Sequence, residues 1–155
     1  MPLTMIVSTI ANTTQQHAFE YVSDLSHHPD WAMDQMTIEA VAPGPLRVGS
    51  KFKHAGTEPF LGGRLHHMNV TVTDLEPSAR FAFDTEDGQV EIHHEFKLNK
   101  EADGIRIERQ LTWTKRPWAH YLIFPMVRGS VYKRLEGAQA RLKEKLETER
   151  VQGSS

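Results

Sequence analysis

The chain reads as an α+β domain in which about seven antiparallel strands form one sheet, two short helices follow the first strand, and a long amphipathic helix closes the C-terminus. Three observations predict it. Apolar and polar residues alternate in short runs from residue 36 to residue 115, turn-forming residues separate those runs, and a three- and four-residue apolar repeat replaces the alternation beyond Pro117. A chain of 155 residues most often makes one domain. Residues 1–150 are therefore assigned to it, and residues 151–155, "VQGSS", to a disordered tail.

The first strand is "TMIVSTIA", residues 4–11, where Met5, Val7 and Thr9 alternate with Ile6, Ser8 and Ile10 and β-branched residues recur. "NTTQQHAFEYVSDL" follows, with Asn12 or Thr13 as helix cap and Ala18, Phe19, Val22 and Leu25 on one face. Pro29 disfavours helix at His28, which places Trp31 in or just after a short second helical turn. Six more strands come from "MTIEAVA", "SKFKHA", "RLHHMNVTVTDL", "RFAFDT", "QVEIHHEFKL" and "GIRIERQLTWT". The punctuation between them is "PGP", Gly62-Gly63, "EPS", "EDG" and "KEADG", short enough to join antiparallel neighbours. Val127, Val131, Leu135, Ala138, Leu142 and Leu146 then mark the long helix. It is expected to begin after Pro125, because proline is tolerated in a first helical turn and not inside a helix.

Composition excludes several function classes. A net charge of -2 with no local basic stripe argues against a strongly electrostatic nucleic-acid binder. The absence of cysteine removes disulfides, thiol nucleophiles and thiolate metal sites. No basic leader opens the chain and no run of about eighteen apolar residues occurs in it, so neither a signal peptide nor a membrane span is expected. The default is a cytoplasmic protein, monomer or homodimer, with no cofactor.

The phrases "FEYVSDLSHHPDW" (19–31), "VGSKF" (48–52), "VTDLEPSARFAF" (72–83) and "RLEGAQARLKEKLE" (134–147) resemble the START-related helix-grip superfamily, also called SRPBCC. That superfamily includes polyketide cyclase/dehydratase-like and lipid-transport proteins. The resemblance implies a curved antiparallel sheet gripping the last helix, with an apolar cavity between them. It leaves the contents of the cavity open.

Strand geometry then sorts the three histidine doublets, His27-His28, His66-His67 and His93-His94. Successive strand side chains point to opposite faces, so a strand doublet sends one imidazole inward at most. Val90, Ile92, His94, Phe96 and Leu98 share the apolar face, opposite Glu91, His93, Glu95 and Lys97. His66, Met68, Val70 and Val72 form the corresponding set in the doublet at 66, with Leu65, His67, Asn69 and Thr71 outside. Val48, Phe52 and His54 go together, as do Ile105, Ile107, Arg109, Leu111 and Trp113, with Phe81 and Phe83 from "RFAFDT". Trp31, Tyr121 and Phe124 are placed at the mouth. His27 and His28 are expected on the surface beside Asp30.

Arg109 is a charge on an apolar face and needs a carboxylate partner, water or an anionic ligand group. Three imidazoles, His54, His66 and His94, are a conceivable metal set, but they lack local ligand spacing and no inward Asp or Glu is evident to support them, so no metal is assigned. The preferred reading is binding of a small hydrophobic or aromatic molecule, a polyketide, lipid or quinone-like compound, between the sheet and the C-terminal helix. Its walls would be Trp31, Phe52, His54, Met68, Phe81, Phe83, Phe96, Trp113, Tyr121 and Phe124. The alternative, which the resemblance implies, is a cyclase, aromatase or dehydratase in which His66 or His94 moves protons and Arg109 stabilises an enolate. A third class is a regulatory partner of another protein.

Overall fold

Each alternating run forms a strand. β1 is Leu3–Ala11, β2 Met36–Ala40, β3 Lys51–Glu58, β4 Arg64–Glu76, β5 Arg80–Glu86, β6 Glu91–Glu101 and β7 Gly104–Lys115. The computed structural model describes residues 3–31, 36–58 and 64–153. The turn expected at Gly62-Gly63, the side chain of Leu65 and residues 154–155 lie outside the described residues. The strands make one open antiparallel sheet in the order β1-β7-β6-β5-β4-β3-β2. β2 through β7 follow each other through short connections, whereas β1 and β2 lie at opposite edges. The segment between them must therefore cross the sheet, and it does so as α1 (Gln15–Ser23), a 3₁₀ turn (Leu25–His27) and α2 (His28–Trp31).

The cap of α1 is Thr14 rather than Asn12 or Thr13: its hydroxyl accepts from the His17 amide at 3.1 Å. Ala18, Phe19, Val22 and Leu25 are buried, as the periodicity requires. The register of β4 against β5 shifts between Val72 and Asp74, which brings Leu75 opposite Phe81 and keeps the inward set in step after the irregularity. Val48 does not join Phe52 on the inward face; it precedes β3 and is 58% exposed.

The last helix, α3, runs from Trp118 to Gly153 and contains Pro125. The expectation that it starts after Pro125 is therefore corrected, and the helix continues through residues 151–153. Pro125 deprives one carbonyl in the preceding turn of its partner. Both Pro125 and Tyr121 are exposed, so water can take that bond. α3 is stitched to the sheet and to α2 by polar contacts. Gln139 Nε2 donates to the Ile107 carbonyl (3.0 Å), the Asn12 amide to Glu147 Oε1 (3.1 Å) and Arg141 to the Asp30 carbonyl (3.3 Å).

Gly104 opens β7 with φ +144°, and a Cβ placed there would press into the Ala11 carbonyl at the end of β1. Gly104→Ala should therefore lose about 1–3 kcal/mol of stability. A urea-unfolding midpoint equal to that of the wild type would contradict this close approach.

Candidate functional site

Among the described residues, the core on the inner face falls into two apolar clusters. One joins α1 and α2 to β4, β5, β6, the first half of β7 and the second half of α3, and includes Trp31, Phe81, Phe83, Phe96, Ile107 and Leu142. The other joins β1 and β7 to the first half of α3 through Met5, Leu111, Trp113, Phe124 and Val131. Along β7 the boundary falls at Arg109, between Ile107 and Leu111. Along β6 it falls at His94, between Phe96 and Ile92. A polar seam thus crosses the sheet where the two clusters meet.

Arg109 sits opposite Phe96 in the β6–β7 register. Its guanidinium carbon is 5.5 Å from the Trp31 ring centroid and 5.5 Å from that of Phe96. Its Nε is buried without a hydrogen-bond partner. Among the described residues it has no carboxylate partner. Burial lowers its pKa to about 10, so it still carries its charge at neutral pH. A desolvated cation of this kind is held by aromatic faces rather than by an ion pair.

His94 is buried, stacks on Phe83 at 4.6 Å and places Nε2 3.1 Å from the Thr85 hydroxyl, leaving Nδ1 without a partner. Burial and then the Arg109 charge push its pKa well below 6.5, so the ring is neutral at pH 7. His28 does not lie on the surface as expected. It is 4% exposed, within 4.8 Å of the Trp31 ring centroid and 5.9 Å of that of Phe96, and its Nε2–H donates to the Val22 carbonyl at 2.9 Å. Its doublet partner His27 does stay at the surface, between Asp24 and Asp30. The signal for His28 was in the spacing: Leu25, His28 and Trp31 recur every three residues through a tight turn, and all three are buried.

Burial lowers the pKa of His28 from 6.5 to about 4, against the opposing hydrogen bond to Val22. Because the folded state resists a proton that the unfolded chain accepts, stability should fall as pH drops from 6.5 towards 4. Urea midpoints measured across that window should decline for the wild type and decline less for His28→Gln. Equal slopes would place His28 in contact with water.

Farther along the sheet, His54 on β3 lies opposite Met68 on β4, and both face inward. Burial, followed by the neighbouring His66 and His67, lowers the His54 pKa, and its Nδ1 has no partner. His66 places Nε2 2.6 Å from Asp87 Oδ2, and its Nδ1 is also buried and unpartnered. Asp87 is fixed in the β5–β6 turn, where its Oδ1 accepts the amides of Gln89 (2.8 Å) and Val90 (2.7 Å). Burial opposes its charge, but those amides and the His66 ring outweigh it and hold the carboxyl below the usual range. The expectation that no acid supports these histidines is thus corrected by Asp87. The three imidazoles do not form a metal set: among the described residues, no group of three or more His, Asp or Glu side chains is placed to hold a metal ion.

Of the other anticipated wall residues, Phe81, Phe83 and Phe96 are buried around Trp31, while Trp113 and Phe124 belong to the second cluster. Tyr121 is 49% exposed, covered on one face by the Arg116 guanidinium at 3.8 Å, and lines no interior space. An open cleft of about 830 Å³ lies between Leu25, Ile38, Leu46 and Phe52, bounded by the β2–β3 connection and not by α3. Phe52 lines it and also packs on the Trp31 cluster, so the cleft abuts the interior.

No protein-family model matches the chain, and no curated protein matches it. Solved structures do. TTHA0849 from Thermus thermophilus superposes with a TM-score of 0.75 at 14% identity, covering 99% of this chain and 100% of that one. The di-domain ARO/CYC StfQ from the steffimycin biosynthetic pathway gives 0.71 at 14% identity, covering 97% of this chain and 52% of that one. Ara h 8.0201 gives 0.68 at 14% identity over 96% and 99% of the two chains. The fold is the helix-grip fold that the sequence phrases resembled.

Proposed function

We propose that the domain binds a small, largely apolar or aromatic molecule carrying an anionic or enolisable oxygen, with that oxygen set against Arg109 between the sheet and α3. The observation that carries this reading is the half-buried Arg109, whose guanidinium lies against Trp31 and Phe96 with its Nε buried and no carboxylate partner among the described residues. A ligand anion would meet a full positive charge in a poorly screened interior, and the neutral His94 ring would add a hydrogen bond. The surrounding rings of Phe81, Phe83 and Phe96 suit a polyketide or quinone-like skeleton, or a lipid chain. The open cleft beside Phe52 borders the aromatic cluster that includes Trp31.

The His66–Asp87 pair favours a second reading, a cyclase, aromatase or dehydratase acting on a poly-carbonyl chain. Two of the similar structures, StfQ and BexL, are named ARO/CYC. With Nε2–H fixed on Asp87, His66 offers Nδ1 as a base for a proton next to a carbonyl.

Native followed by denaturing mass spectrometry of the purified protein tests the binder. One organic molecule per chain, held without a covalent bond and missing from Arg109→Met, is expected. The same molecule retained by Arg109→Met would overturn the role given to Arg109. For the enzyme, unchanged turnover of a poly-β-carbonyl thioester in His66→Gln, His94→Gln and Arg109→Met would remove the second reading.

A further inference from the structure

We propose that the first turns of α3 dock on an anionic lipid bilayer, with Trp118, Leu122 and Met126 entering the interface. These residues are 76%, 66% and 85% exposed, and Tyr121 (49%) and Ile123 (51%) flank them. At about 100° per residue they fall within about 80° of one another on the side of the helix opposite Phe124 and Val131, which hold it to the core. Tryptophan and tyrosine beside long aliphatic side chains is the composition that settles at a membrane–water boundary.

Charge says what covers this face. From Arg109 to Leu135 the chain holds no Asp or Glu, while Lys115, Arg128 and Lys133 are exposed and Arg116 is half-buried. Glu91, opposite Lys115 in the β6–β7 register, offsets one of these charges. Arg116 is spread over the Tyr121 ring, which puts a cation at the rim of the apolar strip. Lys133 continues the same outward face two turns on. An apolar strip with a basic rim complements a negatively charged headgroup layer. Two copies of this surface would bring like charges together, which disfavours self-association through it.

The mode of contact is peripheral. Among the described residues no helix is long and apolar enough to cross a membrane. Because the face lies on solvent, its substitutions leave the core intact. Removal of one cation from the rim should lower partitioning about fivefold.

The probe is the full chain mixed with vesicles of equal parts phosphatidylcholine and phosphatidylserine, and with pure phosphatidylcholine vesicles. Trp31 and Trp113 are buried and Trp118 is exposed, so binding should shift the long-wavelength part of the tryptophan emission to the blue. The expected result is co-sedimentation with the mixed vesicles at least tenfold stronger than with pure phosphatidylcholine. It should be lost in Leu122→Ser/Met126→Ser and reduced in Arg128→Glu/Lys133→Glu. Circular dichroism and thermal melting of each variant should match the wild type, which separates lost docking from lost folding. Equal sedimentation with both vesicles, or undiminished binding by the serine variant, would overturn the proposal. So would a dimer in analytical ultracentrifugation that the serine variant dissociates, in the absence of vesicle binding.

Discussion

Phe96→Ala should destabilise the protein by about 3–5 kcal/mol, the range for removing a large buried aromatic side chain. Phe96 is fully buried on β6, between β5 and β7, opposite Phe81 on one side and Arg109 on the other. Its ring meets Trp31, His28, Phe81 and Phe83 at centroid distances of 6.0, 5.9, 6.4 and 6.4 Å. A central strand cannot shift to close the void, so the cavity remains and the edge contacts to Trp31 and His28 are lost together. The substitution also strips one of the two aromatic faces from the Arg109 guanidinium. Phe96→Leu keeps most of the volume and should cost less than about 1.5 kcal/mol. Equilibrium urea unfolding checks both, and a loss under about 1 kcal/mol for the alanine variant would mean that the ring is not enclosed as described.

The second large effect runs in opposite directions for stability and function. Arg109→Met should leave the empty protein as stable as the wild type or modestly more stable, because an apolar side chain replaces a half-buried charge without an ion-pair partner among the described residues. The depressed pKa of about 10 is the same cost seen from the titration side. Affinity for an anionic aromatic ligand should fall a hundredfold or more, since the ligand would then bury its charge opposite a thioether. Urea midpoints and ligand titrations on the same preparations separate the two. Marked destabilisation of the empty methionine variant would show that Arg109 has a structural partner, and the binding role would lose its main support.

The strand faces were legible in the sequence because a period of two leaves little freedom: His94 and Arg109 had to share the side of Phe96 and Leu111, and they do. What failed depended on tertiary context. His28 read as surface because Pro29 and Asp30 look like a loop, yet the crossing from β1 to β2 drives that turn into the core. Asp87 could not be connected to His66 without the β4–β5 register, in which Asn69 meets Glu86 and the turn therefore ends beside His66. Pro125 was read as a helix boundary from a local rule that solvent exposure relaxes. The division of the core into two clusters, which makes the seam, is a property of the folded sheet and has no signature in any one strand.

The central claim is that Arg109 waits for a ligand anion. Its most direct test is the arginine side-chain nitrogen-15 spectrum of the labelled protein, titrated with 2-naphthoate and, separately, with naphthalene. A resonance absent from Arg109→Met, and so assigned to Arg109 Nε, should move saturably with 2-naphthoate and hardly at all with naphthalene. If that resonance stays fixed while 2-naphthoate binds, or if Arg109→Met binds 2-naphthoate as tightly as the wild type, the anion site is not at Arg109.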